Sequence, residues 1–290
     1  MPVLSRRSLL VSAAAAGLVA CATANGDTGK SAEGGLLGHL RRGTGPEPVV
    51  VLHEWLGDHA NYEPVLPYLS ESDFSYVFAD LRGYGLSKGM AGAYSVAEAA
   101  ADVTRLMDSL GHRRFHVVGH SMSGMIAQYL ATTVGERVKS VVAISPVPPT
   151  GFKTDEAGLK RLLAVIDDDD AARAAIEART GKRYSRAWLD RKLAIARRSA
   201  TREAMVGYLA MFTGTDFSAQ AKGIATPISA IVGEHDIPLY REESIRKLLG
   251  SLYPNFDIAV DHEAGHYSML ETPVLLAALV EKALRGHASA

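Results

Sequence analysis

Three residues of this 290-residue chain stand in an order that could do acyl-transfer chemistry: Ser121, then Asp236, then His266. A serine hydroxyl is a poor nucleophile until a base takes its proton, and an imidazole base needs a carboxylate to fix its tautomer. Ser121 lies in Phe115-His-Val-Val-Gly-His-Ser-Met-Ser-Gly124, an apolar run that breaks at a tight turn and continues as a helix. That strand–turn–helix lifts a serine hydroxyl to the edge of a sheet. Gly119 stands two residues before the serine, where a side chain would crowd the turn. Position 123, usually a glycine in this pattern, is Ser123, with Gly124 next. Asp236 closes Gly233-Glu234-His235-Asp236 after one apolar strand, and His266 closes Asp261-His-Glu-Ala-Gly-His266 after another. Nucleophile, acid, base is the chain order expected with such a turn. Glu234 competes for the acid and His262 for the base.

The tetrahedral intermediate carries an oxyanion, which two preorganised backbone N–H groups should face. Met122, directly after the serine at the helix start, supplies one. The second should come from the loop after Val49-Val50-Val51-Leu52, which reads His53-Glu54-Trp55-Leu56-Gly57-Asp58. The Trp55 N–H is the candidate there. Other strings are weaker. His262-Glu-Ala-Gly-His266 matches H-E-x-x-H, but zinc chemistry needs both histidines on one helical face, and this string follows a strand and contains glycine. Asp167 to Asp170 lacks the alternating spacing of a calcium loop and reads as a helix start favoured by the dipole. Gly83-Tyr84-Gly85 is turn chemistry. No metal and no cofactor is expected.

The elements that must position these residues follow an α/β alternation. Strands are expected at Leu36–Arg42, Pro48–Leu52, Tyr76–Ala79, Phe115–Val118, Val138–Ile144, Ile228–Val232 and Phe256–Val260, with amphipathic helices between them. This is the pattern of a mainly parallel sheet covered on both faces. Ser95 and Glu98 have capping-box spacing ahead of an apolar stripe that Gly111 stops. The last helix has Thr272 as cap, Pro273 in its first turn and Gly286 beyond. Pro146-Val-Pro-Pro149 takes the chain off the sheet, and residues 154 to 213 read as about four helices. An insertion here, about 146–222, would sit over the C-terminal edge of the sheet. Phe152, Tyr184, Trp188, Tyr208 and Phe212 could line a pocket beneath it or simply pack.

Together these residues resemble the α/β-hydrolase fold superfamily, in its capped, lipase- and esterase-like branch, over residues 36 to 286. The likeness rests on the His-x-Trp loop, Asp80-Leu-Arg-Gly-Tyr-Gly-Leu-Ser87, the serine turn, Gly233-x-x-Asp236 and Gly265-His266. It implies a parallel core sheet, a helical cap and a Ser121–His266–Asp236 triad. The region before the first strong strand is short, so seven strands or eight are expected. Glu54 stands where members usually have glycine. Dienelactone hydrolases also carry His-Glu at this loop, with the glutamate contacting the nucleophile. By that similarity Glu54 approaches Ser121 or the substrate; the alternative is a pairing with an arginine or with solvent.

Composition narrows the function. The chain is 47% hydrophobic with a formal net charge of −1, and its Lys and Arg are scattered, so it carries no footprint for nucleic acid. One cysteine excludes an intramolecular disulfide and a thiolate cage. Ser5-Arg-Arg-Ser-Leu-Leu10 and the alanine-rich stretch after it have the parts of a twin-arginine export signal over residues 1–21. Leu18-Val-Ala-Cys21 also resembles a bacterial lipobox, which would lipidate Cys21. Residues 22–35 then read as a flexible tether, and 36–290 as the hydrolase domain of an exported, periplasmic or envelope protein whose membrane contact is a lipid anchor. The expected activity is hydrolysis of a small ester or lactone through an acyl-enzyme. The alternatives are perhydrolase- or haloperoxidase-like chemistry, C–C bond cleavage on the same triad, or a tethered ligand-binding protein with residual activity. Aspartate-nucleophile dehalogenation is disfavoured by a serine at 121.

Overall fold

A computed structural model describes residues 28–29 and 35–287; the segment read as a signal, Cys21 and nearly all of the tether lie outside them. Among the described residues the sheet has eight strands: β1 (Thr28–Gly29), β2 (His39–Arg42), β3 (Glu47–Leu52), β4 (Phe74–Ala79), β5 (Phe115–His120), β6 (Val138–Ile144), β7 (Ile228–Gly233) and β8 (Phe256–Asp261). Their spatial order is β1-β2-β4-β3-β5-β6-β7-β8. β2 is antiparallel to β4 and to the two-residue edge β1, while every pairing from β4 across to β8 is parallel. The eighth strand comes from Thr28–Gly29, inside the segment read as tether. The strand expected from Leu36 is β2, which begins at His39, three residues later than its apolar run suggested.

The parallel strands point the C-terminal ends of β3, β5, β7 and β8 to one rim, which is why residues so distant in sequence can meet. β5 and β7 are buried along their whole length, as central strands of a doubly covered sheet are, His116 and His120 of β5 included. Helix α2 (Met122–Thr133), which follows β5, packs on β5 and β6, and α1 (Val96–Ser109), with its apolar stripe inward, packs against α2. Ser95 caps α1 by accepting from the Glu98 N–H at 3.1 Å.

The excursion after β6 is a cap of four helices, α3 (Glu156–Asp167), α4 (Asp169–Arg179), α5 (Arg186–Ser199) and α6 (Arg202–Gly214), followed by the single turn α7 (Ser218–Ala221). Each long one opens on a side-chain cap: Asp155, Asp168, Ser185 and Thr201 accept backbone N–H bonds from the first turn. The acidic run is thereby a helix start, with Asp168 accepting from Asp170 and Ala171 N–H at 2.8 and 3.1 Å. α8 (Glu242–Gly250), α9 (Ser268–Glu271) and α10 (Pro273–Arg285) complete the chain. Thr272 precedes Pro273 but does not cap α10; its hydroxyl bonds Asp261 and the Ser268 carbonyl instead. Proline at the first position leaves one fewer donor to satisfy.

Candidate active site

Ser121 occupies the turn between β5 and α2 at φ 55° and ψ −112°, a left-handed conformation that a non-glycine residue holds only when its surroundings over-determine it. The bonds that do so are local. Its N–H donates to Ile144 O at 2.9 Å, and its carbonyl accepts from Gly124 and Val147 N–H at 3.0 and 2.9 Å. Crowding explains the flanking glycines. A Cβ on Gly119 would lie 2.2 Å from the Ser123 carbonyl oxygen, and one on Gly124 would lie 2.5 Å from Pro146.

His266 is held from three sides. Its Nδ1–H donates to Asp236 Oδ2 at 2.6 Å, with both side chains buried. Its N–H donates to Arg179 O at the end of α4, and its carbonyl accepts from His120 Nε2–H, each at 2.8 Å. The residue before Ser121 thus touches the loop that carries His266, with the two imidazole rings 4.9 Å apart. Burial pushes the His120 imidazole well below its ordinary range, so it is neutral there. Gly265 and Gly233 admit this packing: a Cβ would meet Arg179 O at 2.3 Å in one case and Gly265 O at 1.9 Å in the other. Asp236 also accepts from the Ile237 N–H at 2.7 Å through its second oxygen. The rival acid and base are elsewhere. Glu234 and His262 pair with one another at 2.6 Å on the surface, their side chains 54% and 73% exposed. Among the described residues no group of three or more His, Cys, Asp and Glu could hold a metal.

The loop after β3 is fixed almost carbonyl by carbonyl. His53 Nδ1–H donates to Glu54 O at 2.8 Å, and its Nε2 accepts from the Leu81 N–H at 3.1 Å, which sets the tautomer. Tyr84 Oη–H donates to Trp55 O at 2.9 Å, and the Trp55 indole N–H reaches Met205 O in the cap at 2.9 Å. Ser123 donates its hydroxyl to His53 O, so the residue replacing the usual glycine ties α2 to this loop. None of these bonds consumes the backbone N–H of Trp55 or Met122.

Glu54 is buried here, and its partner is neither arginine nor solvent. Lys192 Nζ, from α5 of the cap, donates to Glu54 Oε1 at 2.7 Å and to Leu56 O at 2.6 Å. Asn61 Nδ2–H adds a bond to Oε1 at 3.1 Å, and the Leu56 N–H donates to Oε2. Burial works against the charged carboxylate, but Lys192 and the other donors outweigh it and hold its pKa down to about 2. Lys192 is itself buried, with its ammonium 4.8 Å from the Tyr267 ring centre. Motif reading missed Lys192 and one more residue at the site, Tyr240. The Tyr240 ring lies 4.8 Å from the His266 ring. Lys192 did leave a signal: it takes an apolar-stripe position between Leu189 and Ala196 of α5, both buried. Tyr240 left none.

Ser121, Met122, Glu54, Trp55 and His266 line one cavity of about 20 Å³, roughly the room of a single water. Next to it, between α3 and α4, an apolar cleft of about 440 Å³ opens outward.

Residues 47–275 match the alpha/beta hydrolase fold family model, and the chain belongs to that family. Over 109 residues it is 38% identical to the dihydrolipoyllysine-residue acetyltransferase component of the acetoin cleaving system of Cupriavidus necator, covering 38% of this chain and 29% of that one. Over 99 residues it is 33% identical to a serine hydrolase-like protein of Danio rerio, covering 33% of this chain and 30% of that one. The chain therefore spans less than a third of the length of either relative. In three dimensions it resembles the bromoperoxidase of Bacillus anthracis, with a TM-score of 0.74 at 22% identity over 86% of this chain and 96% of that one.

Proposed function

We propose that this protein is a serine hydrolase that cleaves a small carboxylic ester or lactone through an acyl-enzyme. The observation that carries the reading is the buried His266–Asp236 hydrogen bond, 2.6 Å long, on a histidine that shares a cavity wall with Ser121. Ser121 Oγ attacks the carbonyl carbon while His266 Nε2 takes its proton; Asp236 keeps Nδ1 protonated and stabilises the imidazolium. The oxyanion that forms meets the Met122 and Trp55 N–H groups, each of the order of 2.7–4 kcal/mol in such sites. His266 then returns the proton to the leaving oxygen as the C–O bond breaks. Water repeats the sequence on the acyl-enzyme and frees the acid.

The Glu54–Lys192 pair positions the loop that carries Trp55, because the same two side chains bind both the N–H and the carbonyl of Leu56. A panel of p-nitrophenyl esters of increasing acyl length, with lactones alongside, tests the reading. Turnover with a pre-steady-state burst of about one p-nitrophenol per enzyme supports the acyl-enzyme. Slow turnover that Ser121→Ala leaves unchanged overturns it. Export and lipidation at Cys21 complete the proposal, checked by metabolic labelling with palmitate and its loss in Cys21→Ser.

A further inference from the structure

The cleft between α3 and α4 and the Ser121 cavity share a wall made by Leu162, Val165, Ala175 and Arg179. At about 440 Å³ the cleft falls within the ~300–1,000 Å³ of small-molecule sites, whereas the 20 Å³ beside the serine holds none. Alanines form much of its lining, including Ala171, Ala174 and Ala178 on α4. Their small side chains are what leave the space open.

Arg179 is the polar feature of this shared wall. Its main chain is pinned at the catalytic end, since its carbonyl accepts the His266 N–H at 2.8 Å. Its guanidinium donates through one nitrogen to Ala175 O, on its own helix, at 3.1 Å. No ion pair among the described residues engages it. The contrast with the rest of the cap is plain: Arg173, Arg197 and Arg202 each hold an aspartate. Arg179 thus lines both the cleft and the Ser121 cavity, half-buried and with no carboxylate partner among the described residues, and such a guanidinium suits a bound anion.

Resting on the hydrolase reading, we infer that the substrate is an anionic ester or lactone: its apolar body lies in the α3–α4 cleft and its carboxylate pairs with Arg179 beside the reacting carbonyl. Arg161, exposed and also lining the cleft, stands farther from the nucleophile, because it does not line the Ser121 cavity. It adds attraction at the mouth.

The test compares p-nitrophenyl butyrate with the mono-p-nitrophenyl ester of succinate, similar in length but ending in a carboxylate. The wild-type protein should favour the succinate ester in kcat/KM by about tenfold or more, through a lower KM. Arg179→Gln should erase that ratio, and Arg179→Glu should invert it towards an ester with an aminoalkyl acyl chain. Arg161→Gln should reduce it only about two- to threefold. A wild-type ratio near one, a ratio unchanged in Arg179→Gln, or a ratio abolished by Arg161→Gln alone overturns the inference. Fluorophosphonate labelling of Ser121, run on each variant, separates this failure from failure of the hydrolase reading, since the label needs the nucleophile and no carboxylate.

Discussion

The rim of the sheet and the helical cap meet at one cavity but are built by opposite rules. At the rim, each functional side chain sits at a strand end where backbone geometry leaves little choice. Ser121 is forced to φ 55°, and His266 is clamped between Arg179 O and His120. In the cap, helices with ordinary capping deliver two cations to very different fates. Lys192 is buried and saturated by Glu54 and Leu56 O, while Arg179 has only a carbonyl of its own helix. On the proposed reading the rim supplies chemistry, and the cap supplies registry through one charge and selection through the other.

If that division is right, rim variants should stop turnover without unfolding the protein, Lys192 variants should destabilise it, and Arg179 variants should change selectivity with the fold retained. Ser121→Ala should cut kcat/KM by about 10⁴-fold or more with the thermal midpoint retained or raised, since the strained residue loses only its hydroxyl. Asp236→Asn should cost about 10⁴ in kcat with little change in KM, because an amide allows the wrong tautomer of His266. Lys192→Met should destabilise folding by about 3–5 kcal/mol in urea titration, as it strands a buried carboxylate. Glu54→Gln combined with Lys192→Met should recover most of that loss. A double variant no more stable than Lys192→Met would show that packing, not charge, is what the pair provides.

The pair also sets a pH signature. The Glu54 carboxyl falls from 4.5 to about 2 on folding, so its stabilisation is complete above 4.5 and is lost as pH falls towards 2. The wild-type protein should therefore lose stability relative to the double variant as pH falls across that window, read by denaturant titration at each pH. The smallest expected effect belongs to Ser123→Gly, which removes one hydroxyl bond to His53 O. A loss of about 1 kcal/mol, with a modest fall in kcat, would fit a bond that steadies the loop.

Much of the rim was legible in the sequence because each of its parts is local. The strand, the glycine at 119 and the helix after Ser121 declare a turn, and Gly265-His266 declares a loop with no room for a side chain. The cap was legible as about four helices over residues 154 to 213, with the acidic run at 167 to 170 as a helix start, but the individual caps at Asp155, Ser185 and Thr201 were not read. What escaped was pairing across the fold. Lys192 lies 138 residues from Glu54, and nothing near either one specifies the other. Tyr240 reaches His266 only through the packing of the turn after β7. The edge strand at Thr28–Gly29 also escaped, because two residues make no period to read.

Reaction of the purified protein with a fluorophosphonate, followed by peptide mapping, tests the central claim most directly. One adduct per chain on the peptide containing Ser121, absent in Ser121→Ala and formed far more slowly in His266→Ala and Asp236→Asn, is the predicted result. Folded wild-type protein that takes no label, or takes it at another residue, contradicts the account.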